Sequence, residues 1–358
     1  SLASDSSSSL FSSATPGSAK TPADPNNLPW VEKYRPTNLS ELVSHKDITE
    51  TITKFIDQRK LPHLLFYGPP GTGKTSTILA CARRLYGTHY KSMILELNAS
   101  DDRGIDVVRD QIKTFASTKK IFSSGFKLII LDEADAMTQV AQAALRRVIE
   151  KYTKNVRFCI ICNYVSKIIP AVQSRCTRFR FNPLEKDQIE HRLTEIAALE
   201  HVDLRPDGMQ ALLRLSGGDM RRALNVLQSA HAAYDGVVDE DAVYATTACP
   251  LPKHIQGALD AALNDEFGVA VANLNALRTE KGYALQDVLP DMFAVLRNIQ
   301  MANESKIVLY EALADIEYKL SQGCSDKIQA GSLVGAFKLA VELSAVASQG
   351  AAGDAMVQ

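Results

Sequence analysis

Residues 68–75 read GPPGTGKT, directly after the apolar run His63–Tyr67 (HLLFY) and at the start of a helical periodicity over 73–86. A strand, a glycine-rich turn and a helix in that order admit few folds. The strand belongs in a covered parallel sheet, and the turn aims backbone N–H groups at an anion held at the helix N-terminus. Gly68, Gly71 and Gly73 supply the backbone freedom, with Pro69, Pro70 and Thr72 between them. Lys74 is expected to reach β and γ phosphates and the Thr75 hydroxyl to ligate Mg²⁺, with Ser76 completing the stretch that touches nucleotide.

A second string, LIILDEAD at 128–135, continues a short apolar run from Phe126 to Leu131 that only Lys127 interrupts. Such a run suits a strand covered on both faces, which delivers Asp132 and Glu133 to the sheet edge where open α/β sheets bind ligands. Asp132 is expected in the magnesium shell, and Glu133 as the group that polarises an attacking water. Taken alone, DEAD also reads as a solvated acidic turn. With the phosphate loop upstream, the pair predicts an ATPase using ATP and Mg²⁺.

A chain of 358 residues exceeds one ordinary domain and predicts two or three. With 46% hydrophobic and 23% charged residues and no long apolar run, nothing in it is expected to span a membrane. Residues 1–27 (SLASDSSSSLFSSATPGSAKTPADPNN) lack the apolar stretch of a secretory signal and read as a disordered Ser-rich tail. Six cysteines are too few and too scattered for a disulfide scaffold, which fits a reducing compartment. Cys159 and Cys162 form a CxxC, but inside an apolar strand they point to opposite faces, and no zinc site is expected.

The net charge of −1 carries no nucleic-acid signal, yet basic residues gather between Arg103 and Arg180. A charge run of this kind is either a solvated face or a phosphate-tracking surface.

From 63 to 181 short apolar strands alternate with helical segments near 73–86, 104–119 and 138–152, the pattern of a doubly wound α/β core. Beyond Pro183 the period changes: Ile189, Leu193, Ile196 and Ala197 mark one apolar helix face, and SGGD at 216–219 marks a turn. ACPLPK at 248–253 reads as a hinge into a last region of amphipathic helices.

Further strings complete the picture: WVEKYRP at 30–36, ASDDRGID at 99–106, CN at 162–163, SRC at 174–176 and GGDMRRALN at 217–225. Together they resemble the small subunits of eukaryotic replication factor C, the AAA+ clamp loader, closely over residues 28–248 and in helical character beyond. The resemblance implies an α/β fold with an AAA+ P-loop core and parallel sheet, a small helical lid and a C-terminal all-helical collar. The corresponding spans are 1–27 for the tail, 28–183 for the ATPase core, 184–248 for the lid and 249–358 for the collar used in oligomerisation.

It also implies residue roles. Val31, Tyr34, Arg35 and Pro36 match the segment lying against adenine and lid, although Trp30 and Tyr34 also suit plain core anchors. Asn163 corresponds to sensor 1 and Arg221 to sensor 2. Arg175 matches an arginine finger given in trans to the neighbour's ATP, an effect of 10³ to 10⁵ in rate or about 4 to 7 kcal/mol. Arg103, Arg109 and Lys167 match residues that track the DNA backbone. The stretch Phe115–Phe122 suits either an apolar contact to the clamp or a helix end packed on the core.

The implied partners are four other replication factor C subunits, the sliding clamp PCNA and primer-template DNA read by shape, in the nucleus. A ring-shaped unfoldase would want an aromatic pore loop after the second strand, where this chain reads ELNASDDRGID. A subunit that binds nucleotide without turnover is the other alternative, although neither the phosphate loop nor SRC is degenerate.

Overall fold

Five apolar stretches form the parallel strands of one sheet: β1 (Leu64–Tyr67), β2 (Ile94–Asn98), β3 (Lys127–Asp132), β4 (Val156–Cys162) and β5 (Thr177–Arg180). This computed structural model describes residues 28–42, 44–100, 105–117 and 125–355, so the expected tail over 1–27 lies outside the described residues. The spatial order is β2-β3-β4-β1-β5. β4 therefore separates the strand that feeds the phosphate loop from the strand that carries the acidic pair.

The pleat sorts side chains onto two cores. Leu64, Phe66, Leu128, Ile130, Cys159 and Ile161 pack on one face with Ile52, Ile56, Ile78 and Leu79 from helices Lys46–Asp57 and Lys74–Tyr86. Leu65, Ile129, Leu131, Phe158, Ile160 and Cys162 pack on the other with Ile112, Leu145 and Ile149 from helices Ile105–Ser117 and Gln139–Tyr152. Cys159 and Cys162 thus sit in different cores, as a three-residue spacing in a strand requires. Both faces being covered explains why β3 and β4 carry the continuous apolar runs Leu128–Leu131 and Phe158–Cys162. The edge strand β5 is largely exposed.

After β5 the chain becomes helical. Helices Lys186–Leu199, Pro206–Ser216, Met220–Ala233 and Glu240–Thr247 surround a core of Ile189, Leu193, Ile196, Leu212, Leu224, Leu227 and Val243. The turn expected at SGGD is present, with Gly217 and Gly218 at φ 57° and 92°. Trp30 belongs to this core rather than to the sheet: it is 7% exposed, and its ring lies 5.5 Å from that of His231. It is thus a core anchor, while Tyr34 packs at the margin of the same cluster.

Residues 248–251 break the helical run, and Pro252 opens the next helix at its first turn, where a missing N–H costs nothing. Five helices follow, Pro252–Asn264, Phe267–Lys281, Leu285–Leu296, Asn303–Ser321 and Asp326–Ala355. Ile255, Leu259, Leu289, Met292, Leu309, Leu333 and Phe337 are buried between them. Among the described residues no helix is long and apolar enough to cross a membrane.

One buried histidine fastens the sheet below the site. His63 Nδ1 accepts the Phe158 backbone N–H at 3.1 Å, and its Nε2 lies 3.4 Å from the Thr153 hydroxyl. Burial, with a smaller push from Arg157, lowers its pKa to about 4 from an ordinary 6.5. The folded state therefore keeps His63 neutral where the unfolded chain takes up a proton. Stability from this group is complete above pH 6.5, falls as the pH drops from 6.5 to about 4, and is level below that. The loss amounts to something on the order of 3 kcal/mol. His63→Asn retains an acceptor without a titrating group. Its urea midpoint is expected to fall less between pH 7 and pH 5 than that of the unmodified protein; equal shifts in the two proteins would rule His63 out as the source.

Candidate nucleotide site

The cleft lies where the C-terminal ends of β1, β3 and β4 meet the four-helix group. It is lined by the phosphate loop from Pro70 to Thr77, by Asp132, Glu133 and Asn163, and by Val31, Tyr34, Arg35 and Pro36. Leu184, Met220, Arg221 and Leu224 close it from the helical side. Residues as distant in sequence as Val31 and Arg221 thus share one cavity.

At its floor Lys74 is only 7% exposed. Its Nζ donates to the carbonyls of Gly68 and Pro69, both at 2.7 Å, and to Asn163 Oδ1 at 3.0 Å. Burial pushes the ammonium below its ordinary pKa, Asp132 pulls it back up, and nearby Arg221 pushes it down again. The Arg221 guanidinium has no hydrogen-bond or ion-pair partner among the described residues, whereas Arg35 pairs with Glu32 at 3.3 Å and Arg192 with Glu195 at 3.0 Å. Two mutually repelling cations facing one cavity call for a polyanion between them.

The Thr75 hydroxyl donates to Asp132 Oδ2 at 2.8 Å, which joins the helix after the phosphate loop to the end of β3. A hydroxyl and a carboxylate so placed are hard oxygen ligands of the kind Mg²⁺ takes. Glu133 is exposed and adopts φ 54°, a left-handed conformation uncommon for a residue with a side chain. Its N–H donates to Asp132 Oδ1 at 2.9 Å, and its carbonyl accepts from Ala136 N at 2.9 Å. Such strain costs roughly 1 to 3 kcal/mol and persists only where neighbours impose it. Here it turns the carboxylate out of the strand and into the cleft.

Asn163 follows the last residue of β4. Asp135 fixes that chain end, its Oδ2 accepting from the backbone N of Asn163 and of Tyr164, both at 3.3 Å. Buried Gln142 secures the next turn, donating to the Lys167 carbonyl at 2.9 Å and accepting from Ile169 N at 2.7 Å.

The helical side meets the phosphate loop directly. Asp219 caps helix Met220–Ala233, accepting from Arg221 N at 2.8 Å and Arg222 N at 3.2 Å. A Cβ on Gly71 would lie 1.6 Å from the Asp219 carboxylate, and Gly71 itself stands at φ 68°. The Met220 N–H reaches the Gly71 carbonyl at 3.4 Å. Gly71 is thus required for the approach of the two parts as well as for the turn.

Arg175 does not line the cleft. Its Nη2 pairs with Glu150 at 2.5 Å and its Nη1 donates to the Ala171 carbonyl at 2.6 Å, beside helix Gln139–Tyr152. Lys167 is exposed, with its Nζ 5.2 Å from the Tyr164 ring centroid. Arg109 falls on helix Ile105–Ser117, while Arg103 lies outside the described residues. Of the stretch Phe115–Phe122 only 115–117 are described, and Phe115 packs on the sheet core.

Asp135 closes the string LIILDEAD, but its hold on the backbone of Asn163 and Tyr164 went unread, as did Gln142, Asp219, Arg192 and Leu42. Asp219 had a local signal, an Asp placed to cap the helix after GGD. Gln142 and Arg192 act through partners distant in sequence, with no motif of their own, and Leu42 lines the cleft.

Residues 64–184 match the family described as ATPase family associated with various cellular activities (AAA), and residues 250–336 match the replication factor C C-terminal domain. Replication factor C subunit 3 of Schizosaccharomyces pombe is 57% identical over 320 residues, covering 89% of this chain and 93% of its own. Replication factor C subunit 5 of Homo sapiens is 57% identical over 318 residues, covering 88% and 93%. RuvB of Thermotoga maritima, in the structure of one of its mutants, shares the fold at 14% identity and TM-score 0.50, over 68% of this chain and 85% of that one. The chain belongs to the replication factor C small subunits, the AAA+ ATPases of the clamp loader, in the group of fungal subunit 3 and animal subunit 5.

Proposed function

We propose that this subunit binds ATP with Mg²⁺ in the cleft, assembles with four other replication factor C subunits, and helps open PCNA and load it onto primer-template DNA in the nucleus. The observation that carries the site reading is the opposed pair Lys74 and Arg221 in one cavity with Thr75, Asp132, Glu133 and Asn163. The phosphate-loop amides and Lys74 hold the β and γ phosphates, and Arg221 meets the γ end from the helical side. Thr75 and Asp132 would hold the magnesium, which would supply positive charge against that of the phosphates. Glu133 accepts the proton of the attacking water while Asn163 orients it.

Residues 184–248 act as the lid, and residues 249–358 as the collar of the assembly. Arg175 is the finger given to the neighbouring subunit's ATP. Its position outside its own cleft supports that direction, and Glu150 holds the guanidinium until a neighbour's phosphates draw it away. Arg103, Arg109 and Lys167 follow the DNA phosphates without reading bases.

Mutations at each surface test this. In the assembled complex, Lys74→Ala is expected to lower both DNA-stimulated ATP turnover and clamp loading. Arg175→Ala should cut hydrolysis at the neighbouring site by about 10³ or more while nucleotide binding in this cleft stays intact. Loss of binding here in Arg175→Ala would refute the assignment in trans. For DNA, neutralising Arg103, Arg109 and Lys167 together should flatten the log-log salt dependence of binding by about 0.9 for each phosphate no longer neutralised. An unchanged slope would remove these residues from the DNA surface.

A further inference from the structure

One wall of the cleft is a segment of chain remote in sequence from the phosphate loop, Val31 and Tyr34–Pro36. Residues 30–36 enter the molecule on the helical side. Trp30 is buried in that side's core, and its backbone N–H donates to Gln228 Oε1 at 3.0 Å. Lys33 pairs with Glu200 at 2.6 Å, and the Tyr34 hydroxyl bonds to the same carboxylate. Only after Pro36 does the chain cross to the sheet, where Arg83 Nη1 donates to the Thr37 carbonyl at 3.3 Å and Leu39 packs with the core.

Arg192 is the tether that faces the cavity. It projects from helix Lys186–Leu199, lines the cleft and is 18% exposed. One arm of its guanidinium, Nη1, pairs with Glu195 at 3.0 Å; the other, Nη2, donates to the Tyr34 carbonyl at 3.2 Å. Tyr34 caps the short helix Trp30–Lys33, so its carbonyl stands at a C-terminus, where a cation is favoured. The planar fork suits two acceptors at fixed separation, which a lysine ammonium does not reproduce. Tyr34 is thereby held to one helical unit through both its backbone and its hydroxyl.

Resting on the nucleotide reading of the cleft, we infer that Arg192 is a positioning residue that holds Tyr34–Pro36 as the base-facing wall and makes that wall part of the lid. Besides the phosphate loop the cavity is lined by Val31, Leu42, Leu184 and Leu224, apolar groups that suit a flat heteroaromatic base. Arg192 is already neutralised by Glu195, so its role there is geometric, and the phosphate charge is left to Lys74 and Arg221. A nucleotide seated between this wall and the phosphate loop joins lid to sheet at both of its ends.

The test compares ligands with and without a base. Binding of ADP, ATP and inorganic tripolyphosphate to the full chain is measured by calorimetry for the unmodified protein, Arg192→Ala and Arg192→Lys. Arg192→Ala is expected to weaken ADP and ATP alike by about tenfold, the scale of removing a hydrogen bond from a charged group. Tripolyphosphate affinity should stay within about twofold, and Arg192→Lys should recover only a minor part of the loss. Unchanged ADP binding in Arg192→Ala, an equal loss of ADP and tripolyphosphate, or full recovery in Arg192→Lys would each overturn the assignment. Failure of the unmodified chain to bind ADP, ATP or tripolyphosphate would instead overturn the nucleotide reading itself.

Discussion

Lys74 places an ammonium in a cavity that leaves it 7% exposed, and much of the surrounding architecture serves to keep it there. Two phosphate-loop carbonyls and the Asn163 amide oxygen accept its protons, so the desolvated charge is hydrogen-bonded before any ligand arrives. Those acceptors come from the ends of β1 and β4, which pair in register from Leu64 opposite Cys159 to Tyr67 opposite Cys162. The buried apolar pleat thus sets the distance between the phosphate loop and Asn163. Shifting β4 by one residue would exchange its two faces and carry Asn163 away from Lys74.

The second cation, Arg221, is held by different means. Its helix begins at Asp219, whose carboxylate caps the first turn and presses on Gly71. The capping bonds are local and the approach to Gly71 is remote in sequence, yet one carboxylate makes both. Arg221 is therefore aimed by the same group that registers the helical side against the phosphate loop. A charge on a flexible side chain has little directional value; one on the first turn of a capped helix is brought to the ligand with its backbone already fixed.

Much of this was legible in the sequence where the chemistry is local. Strands covered on both faces carry apolar runs, and Leu128–Leu131 in β3 and Phe158–Cys162 in β4 were readable for that reason. The phosphate loop and the acidic pair were readable because anion binding demands glycines and fixed spacing within a short stretch. Residues 189, 193, 196 and 197 announced their helix face by period alone, and each is buried. Arg192 stands in that same helix, yet its partner Tyr34 lies 158 positions away and no local pattern records the bond. Gln142 reads in sequence as one more polar residue of an amphipathic helix, although it is 2% exposed and secures the turn that carries Lys167.

Arg175 shows how the two kinds of information combine. The string SRC marks the residue, and the structure adds what holds it. In its own subunit the guanidinium is occupied by Glu150, an exposed carboxylate that also pairs with Arg146 at 3.1 Å. Hydrogen bonding from Arg146, with the charges of both arginines, holds the Glu150 carboxyl below its usual range despite some opposing burial, so the partner stays ionised. Solvent screens an ion pair of this type, and it adds little to stability. The charge that develops on a transferring phosphoryl group, in a cleft closed to water, draws a guanidinium far more strongly. A screened pair of this kind holds the guanidinium beside helix Gln139–Tyr152 at little cost to its release, which fits the proposed role at a neighbour's phosphates.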